Sequence, residues 1–407
     1  ALRTRKMQRA AAPEVLGDDT LLRLDADLRA ALKRRPTHEV RLAGALRALA
    51  RYSPRLQGGL AEAFETTVRR SSFDRPLYGA LARALAELED RRALEALCHA
   101  LETEDAGGLA GLSAAALSRD PVLAEPLAKV AASRHPHVAL AAEVARVARR
   151  ESNGAHATAV APKIKEAHRI ALCQEVFVPL LWQPALDPGI APALAVLRDA
   201  ERHLGRWLVL GEVAARAGDE TPLGEARLHA KQGSSGARAA WALVAWALER
   251  GAGEPPVRAN VELISRLSDR PSANRDTTFL FRLADAKVES VRPMLEGLAK
   301  GPLPATENGV RAAFYLARDY GVERCREQLF DVTKNPRREE LHGLAAAALF
   351  DLGSRNEALD AVSAGEKAPK LPALAWASVV RAGASGLESG PLLTEPRFRR
   401  IQLGWVE

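Results

Sequence analysis

The sequence predicts an all-α protein. Ala, Leu, Arg and Glu dominate it, aromatic residues make up only 5%, and the 47% hydrophobic share comes largely from alanine, which allows helices to approach closely. Segments that alternate β-branched or aromatic residues with polar ones, as strands do, are nearly absent; the best exception, 176–182, is interrupted by Pro179. Apolar residues instead recur at steps of three and four, which is the helical period.

Helix starts and stops follow one another regularly from about residue 19 to residue 151. Asp18, Asp19 and Thr20 cap a first helix that ends before Pro36, and Ser53 begins another. Short turns then separate a series of predicted helices of about 11 to 15 residues each. Their predicted bounds are 76–88, 91–101, 108–117, 121–132 and 137–150. Such turns make consecutive helices antiparallel, and narrow Ala-rich faces favour stacking of one pair on the next.

The middle of the chain is less regular. Residues 152–162, which begin Ser-Asn-Gly and end at Pro162, indicate a loop or linker, and four prolines interrupt the apolar segment 176–192. Further helices are predicted at 238–248, 257–267, 277–283, 291–298 and 310–320. The expected organisation is a basic flexible tail (1–17), an amino-terminal helical array (18–151), an irregular linker (152–200), a second helical array (201–390) and a basic, aromatic tail (391–407).

Several helix pairs resemble known helical repeats. Residues 120–147 resemble one HEAT repeat, with a turn at His135-Pro136, and 92–120 and 323–352 resemble more degenerate copies. Residues 346–361 are similar to a tetratricopeptide helix pair, with Gly353 and Ala358 at matching positions but without the aromatic residues of that repeat. Both resemblances imply an α-solenoid of stacked antiparallel helix pairs, here with about 18 to 20 helices.

Charge is unevenly spread. The first 100 residues hold 19 Lys and Arg against 13 Asp and Glu, which accounts for most of the net charge of +7. Arg3, Arg5, Lys6 and Arg9 precede the first acid at Glu14. They indicate either a solvated terminus or contact with nucleic acid or with anionic lipid, the latter if a membrane anchor precedes Ala1.

No pattern of catalytic or metal-ligating residues stands out. Cys98, Cys173 and Cys325 lie far apart, which is typical of a reducing compartment and predicts a cytoplasmic location, and the nine His show no zinc-site spacing. We therefore predict no catalytic residues, no metal and no cofactor. The loop Lys231 to Arg238 indicates either an ordinary turn with a capping serine or an anion contact through its two cations.

One apolar segment is a candidate binding surface. Phe177, Leu180, Leu181 and Trp182 either pack as a buried plug or contact a partner protein. Trp241 and Trp246 are predicted to pack in the core.

These observations predict a non-enzymatic scaffold or adaptor that binds another protein. The alternative is a nucleic-acid-binding protein, because some HEAT-like proteins are alkylpurine DNA glycosylases; the nearly neutral charge beyond residue 100 argues against it.

Overall fold

The all-α prediction is confirmed for the residues that the structure describes, since all their regular secondary structure is helical. The structure is a computed structural model. It describes Glu62 and residues 91–102, 109–181, 186–249, 254–267 and 278–335. After residue 335 it describes only 341–342, 344–345, 348–349 and 352–354. Both predicted tails and the helices expected before residue 91 lie outside this part of the chain.

The first compact unit comprises residues 64–280. Its helices, in chain order, are α1 (Arg91–Glu102), α2 (Leu109–Ala115), α3 (Ala124–Ala131), α4 (Pro136–Ala148), α5 (Ala155–Val160), α6 (Glu166–Leu172), α7 (Ala191–Asp199), α8 (Leu204–Arg216), α9 (Thr221–His229), α10 (Ser235–Leu248) and α11 (Val261–Arg266). A π-helical segment (Cys173–Phe177) and one further turn (Val178–Leu180) continue α6.

Within the described residues, the second compact unit comprises Glu62 and the residues from Phe281 onward. It contains α12 (Thr278–Asp285), whose first turn falls before that boundary, α13 (Arg292–Leu298), α14 (Glu307–Asp319) and α15 (Arg324–Lys334). Helical residues follow at 341–342, 344–345 and 348–349.

Side-chain caps explain where several helices begin. Asp120 accepts a hydrogen bond from the Val122 amide at the start of the 3₁₀ turn before α3, and Ser234 does the same for Ala237 in α10. Pro136 occupies the first position of α4, where no amide hydrogen is needed, so the predicted His135-Pro136 turn is confirmed. Where helix bounds were predicted, in 91–150 and in 238–320, the observed bounds agree with them to within a few residues.

Consecutive helices contact one another. These contacts join α3 with α4, α7 with α8, α9 with α10, α13 with α14, and α14 with α15. Alanine makes the close approach feasible: α4 alone buries Ala139, Ala141, Ala142 and Ala145. None of the described helices is long and apolar enough to cross a membrane.

The segment predicted as a linker contains helix α5. Ala157 and Val160 are buried, and α5 contacts both α4 and α7. Gly154 has φ +79° and its Cα faces the Gly189 carbonyl oxygen, which would lie 1.9 Å from an added Cβ, so no larger residue fits there. The predicted division of the helical arrays near residue 152 thus falls inside the compact unit 64–280, because this short helix packs between its neighbours.

Two of the four prolines predicted to break 176–192 lie at the start of helical turns. Pro188 starts a 3₁₀ turn, Pro192 lies in the first turn of α7, and Pro179 lies within the turn that ends the α6 extension. Pro184 lies outside the described residues. Helical structure therefore continues to Leu180 and resumes at Pro188, so the described part of this segment is more regular than predicted.

Candidate functional site

The apolar segment that the sequence singled out is buried. Phe177, Leu180 and Leu181 are 2%, 2% and 6% exposed, and Trp182 lies outside the described residues. The π-helical segment contacts α2 and α8. Of the two alternatives, this burial favours the packed plug, because the side chains that would have met a partner form part of the core.

A small cavity lies beside the π-helical segment. Its lining residues include Cys173, Phe177, Glu201 and Arg206. The volume in which the centre of a water molecule fits is about 10 Å³. That is roughly the smallest space that holds one water molecule. The cavity is therefore too small for a substrate, although π-helical segments often occur at functional sites.

Two of the charged groups at this cavity form an ion pair. Arg206 donates two hydrogen bonds to Glu201, at 2.9 and 2.7 Å, and both side chains are buried. Burial alone raises the pKa of the Glu201 carboxyl, but hydrogen bonds from Arg206 and from the backbone amides of His203 and Arg202 hold that pKa below its usual value. The other charged lining residue, Arg169, donates to the backbone carbonyl oxygens of Ala200 and Ile164.

Arg198 connects helices in a similar way. It is 2% exposed and donates to Glu225 at 3.0 and 3.1 Å and to Thr221 at 3.2 Å. Its guanidinium also lies over the Trp207 ring, 5.6 Å from the centroid. A residue of α7 thereby fixes the start of α9 and a tryptophan of α8.

The Trp207 ring begins a short stack of aromatic rings that leads to the surface. Its centroid is 4.8 Å from that of Trp241 in an edge-to-face arrangement. The other contact of Trp241 is the His229 ring, stacked at 4.6 Å. Trp207 is buried, Trp241 is half-buried and His229 is exposed. The prediction that Trp241 packs in the core therefore holds for one side of the ring only.

Exposed cations and one exposed leucine lie on the same two helices as this tryptophan and in the turn between them. Leu228 is 55% exposed, and Lys231 and Arg238 are exposed at the turn between α9 and α10 and in the first turns of α10. Arg238 is three residues before Trp241, so the two are neighbours on the helix surface. We call Leu228, His229, Lys231, Arg238 and Trp241 the α9–α10 surface.

The loop before α10 is a turn closed by a capping serine. The Ser234 side chain accepts the Ala237 amide, and Gly233 has φ +85°. This outcome matches the ordinary-turn alternative of the sequence analysis, while Lys231 and Arg238 remain solvent-exposed beside it. The other predicted anion contacts, Arg3, Arg5, Lys6 and Arg9, lie outside the described residues.

A second charged cluster is buried in the other unit. Asp285, Tyr315, Arg318 and Asp319, which we call the Asp285 cluster, join the end of α12 to α14. Arg318 donates to Asp319 at 2.7 and 2.6 Å, and one of its terminal nitrogens is 3.5 Å from Asp285. The Arg318 guanidinium also lies 5.3 Å from the ring centroids of both Phe314 and Tyr315.

Two carboxylates share one arginine in this cluster. Burial is the main cause that raises the pKa of Asp285 to about 7, and the nearby Asp319 adds to it, against the opposing effects of Arg318 and Tyr315. Burial also raises the pKa of the Tyr315 hydroxyl, with Asp285 as the next cause. Asp285 is thus a group that titrates near neutral pH inside the fold.

Histidines and cysteines form no metal site in the described part of the chain. The rings of His137 and His168 stack in parallel with centroids 3.9 Å apart, and burial, followed by the charges of His168 and His135, lowers the pKa of His137. The described cysteines are all free of disulfides.

Sequence reasoning missed the α9–α10 surface as a unit. It named Lys231 and Arg238, and it considered Trp241 separately. The signal that links them is the spacing of Arg238 and Trp241 on a 14-residue helix that contains no acidic residue. The Asp285 cluster had no local signal, because Asp285 and Arg318 are far apart in the sequence.

Comparison with known proteins identifies no relative. No family model matches the chain, and neither a curated protein nor a solved structure matches it.

Proposed function

We propose that this protein is a non-enzymatic scaffold that binds another protein through the α9–α10 surface. The observation that carries the proposal is the half-buried Trp241, held between Trp207 and the exposed His229 on a hairpin that also exposes Leu228, Lys231 and Arg238. Tryptophan and arginine are enriched at the centres of protein interfaces, and a ring that is already immobilised loses little entropy on binding.

The fold supports the same proposal. Contacts between consecutive helices are what a HEAT-like or tetratricopeptide-like solenoid of stacked pairs requires, and such arrays present extended surfaces to partners. The buried ionic groups described above connect helices to one another, which accounts for their burial without a catalytic role. We extend the arrangement to the whole chain as part of the proposal, with a cytoplasmic location.

Affinity capture from the source organism tests this function. The tagged protein is incubated with lysate at low and moderate salt, with and without nuclease, and the captured proteins are identified and then purified. We expect one protein to survive nuclease and to re-form the complex from purified components. Recovery of nucleic acid alone, lost on nuclease treatment, would overturn the scaffold and favour the nucleic-acid alternative.

A further inference from the structure

The carboxylates on the α9–α10 hairpin are already occupied. Within residues 221–249 the only acidic residues are Glu225 and Glu249. Glu225 is bonded to Arg198 at 3.0 Å, and Glu249 accepts from Arg227 at 2.9 and 2.7 Å. Lys231 and Arg238 have no ion-pair partner within the described residues. The exposed side of the hairpin therefore carries an uncompensated positive charge.

The neighbouring helix does not offset this imbalance. Arg266 of α11 extends toward the first turn of α10, since its Nη1 atom would lie 3.5 Å from a Cβ placed on Gly236. The one acid of α11, Glu262, is bonded to this same arginine at 2.7 Å. No carboxylate of α9, α10 or α11 is thus left to neutralise Lys231 and Arg238.

The apolar part of the surface is rigid. Trp241 is fixed by ring contacts on two sides, so its orientation does not depend on a partner. Leu228 lies on the same helix as His229, which stacks on that ring, and it exposes more than half of its area. A fixed, half-buried tryptophan favours an apolar side chain as the contact, with the exposed leucine and the cations as further contacts on the hairpin.

We propose that the α9–α10 surface binds an acidic segment of a partner protein, with carboxylates against Lys231 and Arg238 and an apolar side chain against Trp241 and Leu228. This proposal rests on the proposed function and specifies the partner of the same surface. Because the surface is positive, charge complementarity requires a negatively charged partner segment and speeds its association. The apolar contact slows the dissociation of the complex.

An acidic protein segment fits this surface better than nucleic acid does. Nucleic-acid affinity comes mainly from neutralising many phosphates, whereas the hairpin offers two cations without an acidic partner. The Leu228 side chain can neither neutralise a phosphate nor stack on a base, but it can pack against an aliphatic or aromatic side chain.

The test uses three fluorescein-labelled probes on the full chain: a short peptide of glutamate and leucine, the same peptide with lysine in place of glutamate, and a single-stranded oligonucleotide of equal length. Binding is followed by fluorescence anisotropy. The test variant is Lys231→Glu with Arg238→Glu. The matched control is Lys163→Glu with Lys165→Glu, which makes the same change in charge at two exposed lysines that also have no ion-pair partner in the described residues.

We expect the acidic peptide to bind the wild-type chain saturably and the lysine peptide not to bind. The test variant should bind the acidic peptide at least about tenfold more weakly, and the control within about twofold of wild type. All four changed residues are exposed, and circular dichroism verifies that both variants keep the helical content of the wild type.

Three results would overturn the proposal: no saturable binding of the acidic peptide, equal weakening in the control variant, or tighter binding of the oligonucleotide with the same dependence on Lys231 and Arg238.

The partner obtained by affinity capture separates this failure from that of the scaffold. A captured protein that binds the test variant as well as wild type would leave the scaffold function in place and exclude this surface. If the wild type captures no protein, the scaffold function fails, and the peptide measurements still decide what the surface binds.

Discussion

Charge is unbalanced in two regions of this protein, with opposite sign and opposite exposure. On the α9–α10 surface, Lys231 and Arg238 face solvent without a carboxylate partner, and in the Asp285 cluster two buried carboxylates share Arg318. Water and salt screen the excess positive charge on the exposed surface, so it lowers the stability of the fold very little. That charge remains available to a partner. Nothing screens the buried excess, and the pKa of Asp285 therefore rises to about 7.

The Glu201–Arg206 pair shows that burial alone does not produce this shift. Both of its side chains are as inaccessible as those of the Asp285 cluster, yet the pKa of Glu201 is lowered, because hydrogen bonds from Arg206 and from backbone amides outweigh the effect of burial. The hydrogen bonds and charges around a buried carboxylate, and not its depth alone, thus decide the direction of the shift. The following substitutions change the charges of one region at a time.

Removing the shared arginine should have the largest effect. In Arg318→Met two buried carboxylates lose the arginine that they share, so we expect the free energy of unfolding at pH 8 to fall by about 3–5 kcal/mol. The loss should be smaller at pH 5, where Asp285 is protonated in the folded state. Urea unfolding at the two pH values measures both. Arg292→Met, which removes an exposed arginine of α13, is the control and should leave the unfolding midpoint unchanged; an equal loss in both variants would contradict this account.

Breaking the Glu201–Arg206 pair should cost somewhat less. Glu201→Gln leaves the Arg206 guanidinium buried without its counter-charge, and we expect a loss of about 2–3 kcal/mol at pH 7. Because the pKa of Glu201 is lowered in the folded state, its contribution is present above the usual pKa of 4.5 and is lost as the pH falls through the folded value. The difference between wild type and variant should therefore narrow in acid. A constant difference from pH 7 to pH 3 would show that charge is not the cause.

Asp285→Asn, unlike the two substitutions above, should increase the free energy of unfolding. The folded pKa of Asp285 is raised from 3.8 to about 7, so the stability linked to its proton is fully present below 3.8 and is lost as the pH rises through 7. The variant should match wild type near pH 4 and exceed its free energy of unfolding by about 1–3 kcal/mol at pH 8. Thermal or urea unfolding between these pH values tests the trend, which a destabilised variant at pH 8 would refute.

Charge reversal on the exposed surface should have the smallest effect on stability. For Lys231→Glu with Arg238→Glu we expect a change within about 0.5 kcal/mol, because neither side chain is buried or paired in the described residues. The same variant should fail to capture the partner protein from lysate. Loss of stability comparable to that of Glu201→Gln would mean that these cations support the fold and would remove the contrast between the two regions.

Much of the fold could be predicted from the sequence because its determinants are local. Capping residues and the spacing of apolar residues located helices such as α4 and α10 to within a few residues. Helix α5 was missed because it is short and lies between Ser152-Asn-Gly154 and Pro162, which resemble the ends of a linker, and its burial depends on contacts with α4 and α7. The π-helical segment was missed because Pro179 and the prolines after it suggested a break.

The sites were less predictable because they join residues that are distant in the sequence. Lys231 and Arg238 were identified from a loop pattern, but the stack of Trp241 on His229 depends on how α9 packs against α10. Phe177, Leu180 and Leu181 show the reverse: their apolar character was evident, whereas their burial could not be read from the sequence. The pairing of Asp285 with Arg318 likewise requires the contact between their helices.

Hydrogen–deuterium exchange tests the central claim most directly. The full chain is labelled with and without the acidic peptide of glutamate and leucine, at the concentration that saturates anisotropy, and peptic fragments that cover residues 91–335 are compared. We predict slower exchange in fragments from 221–249, which contain the α9–α10 surface, and no change in those that contain α12 to α14. Protection centred elsewhere, or protection in 221–249 that persists in the variant Lys231→Glu with Arg238→Glu, would contradict the account.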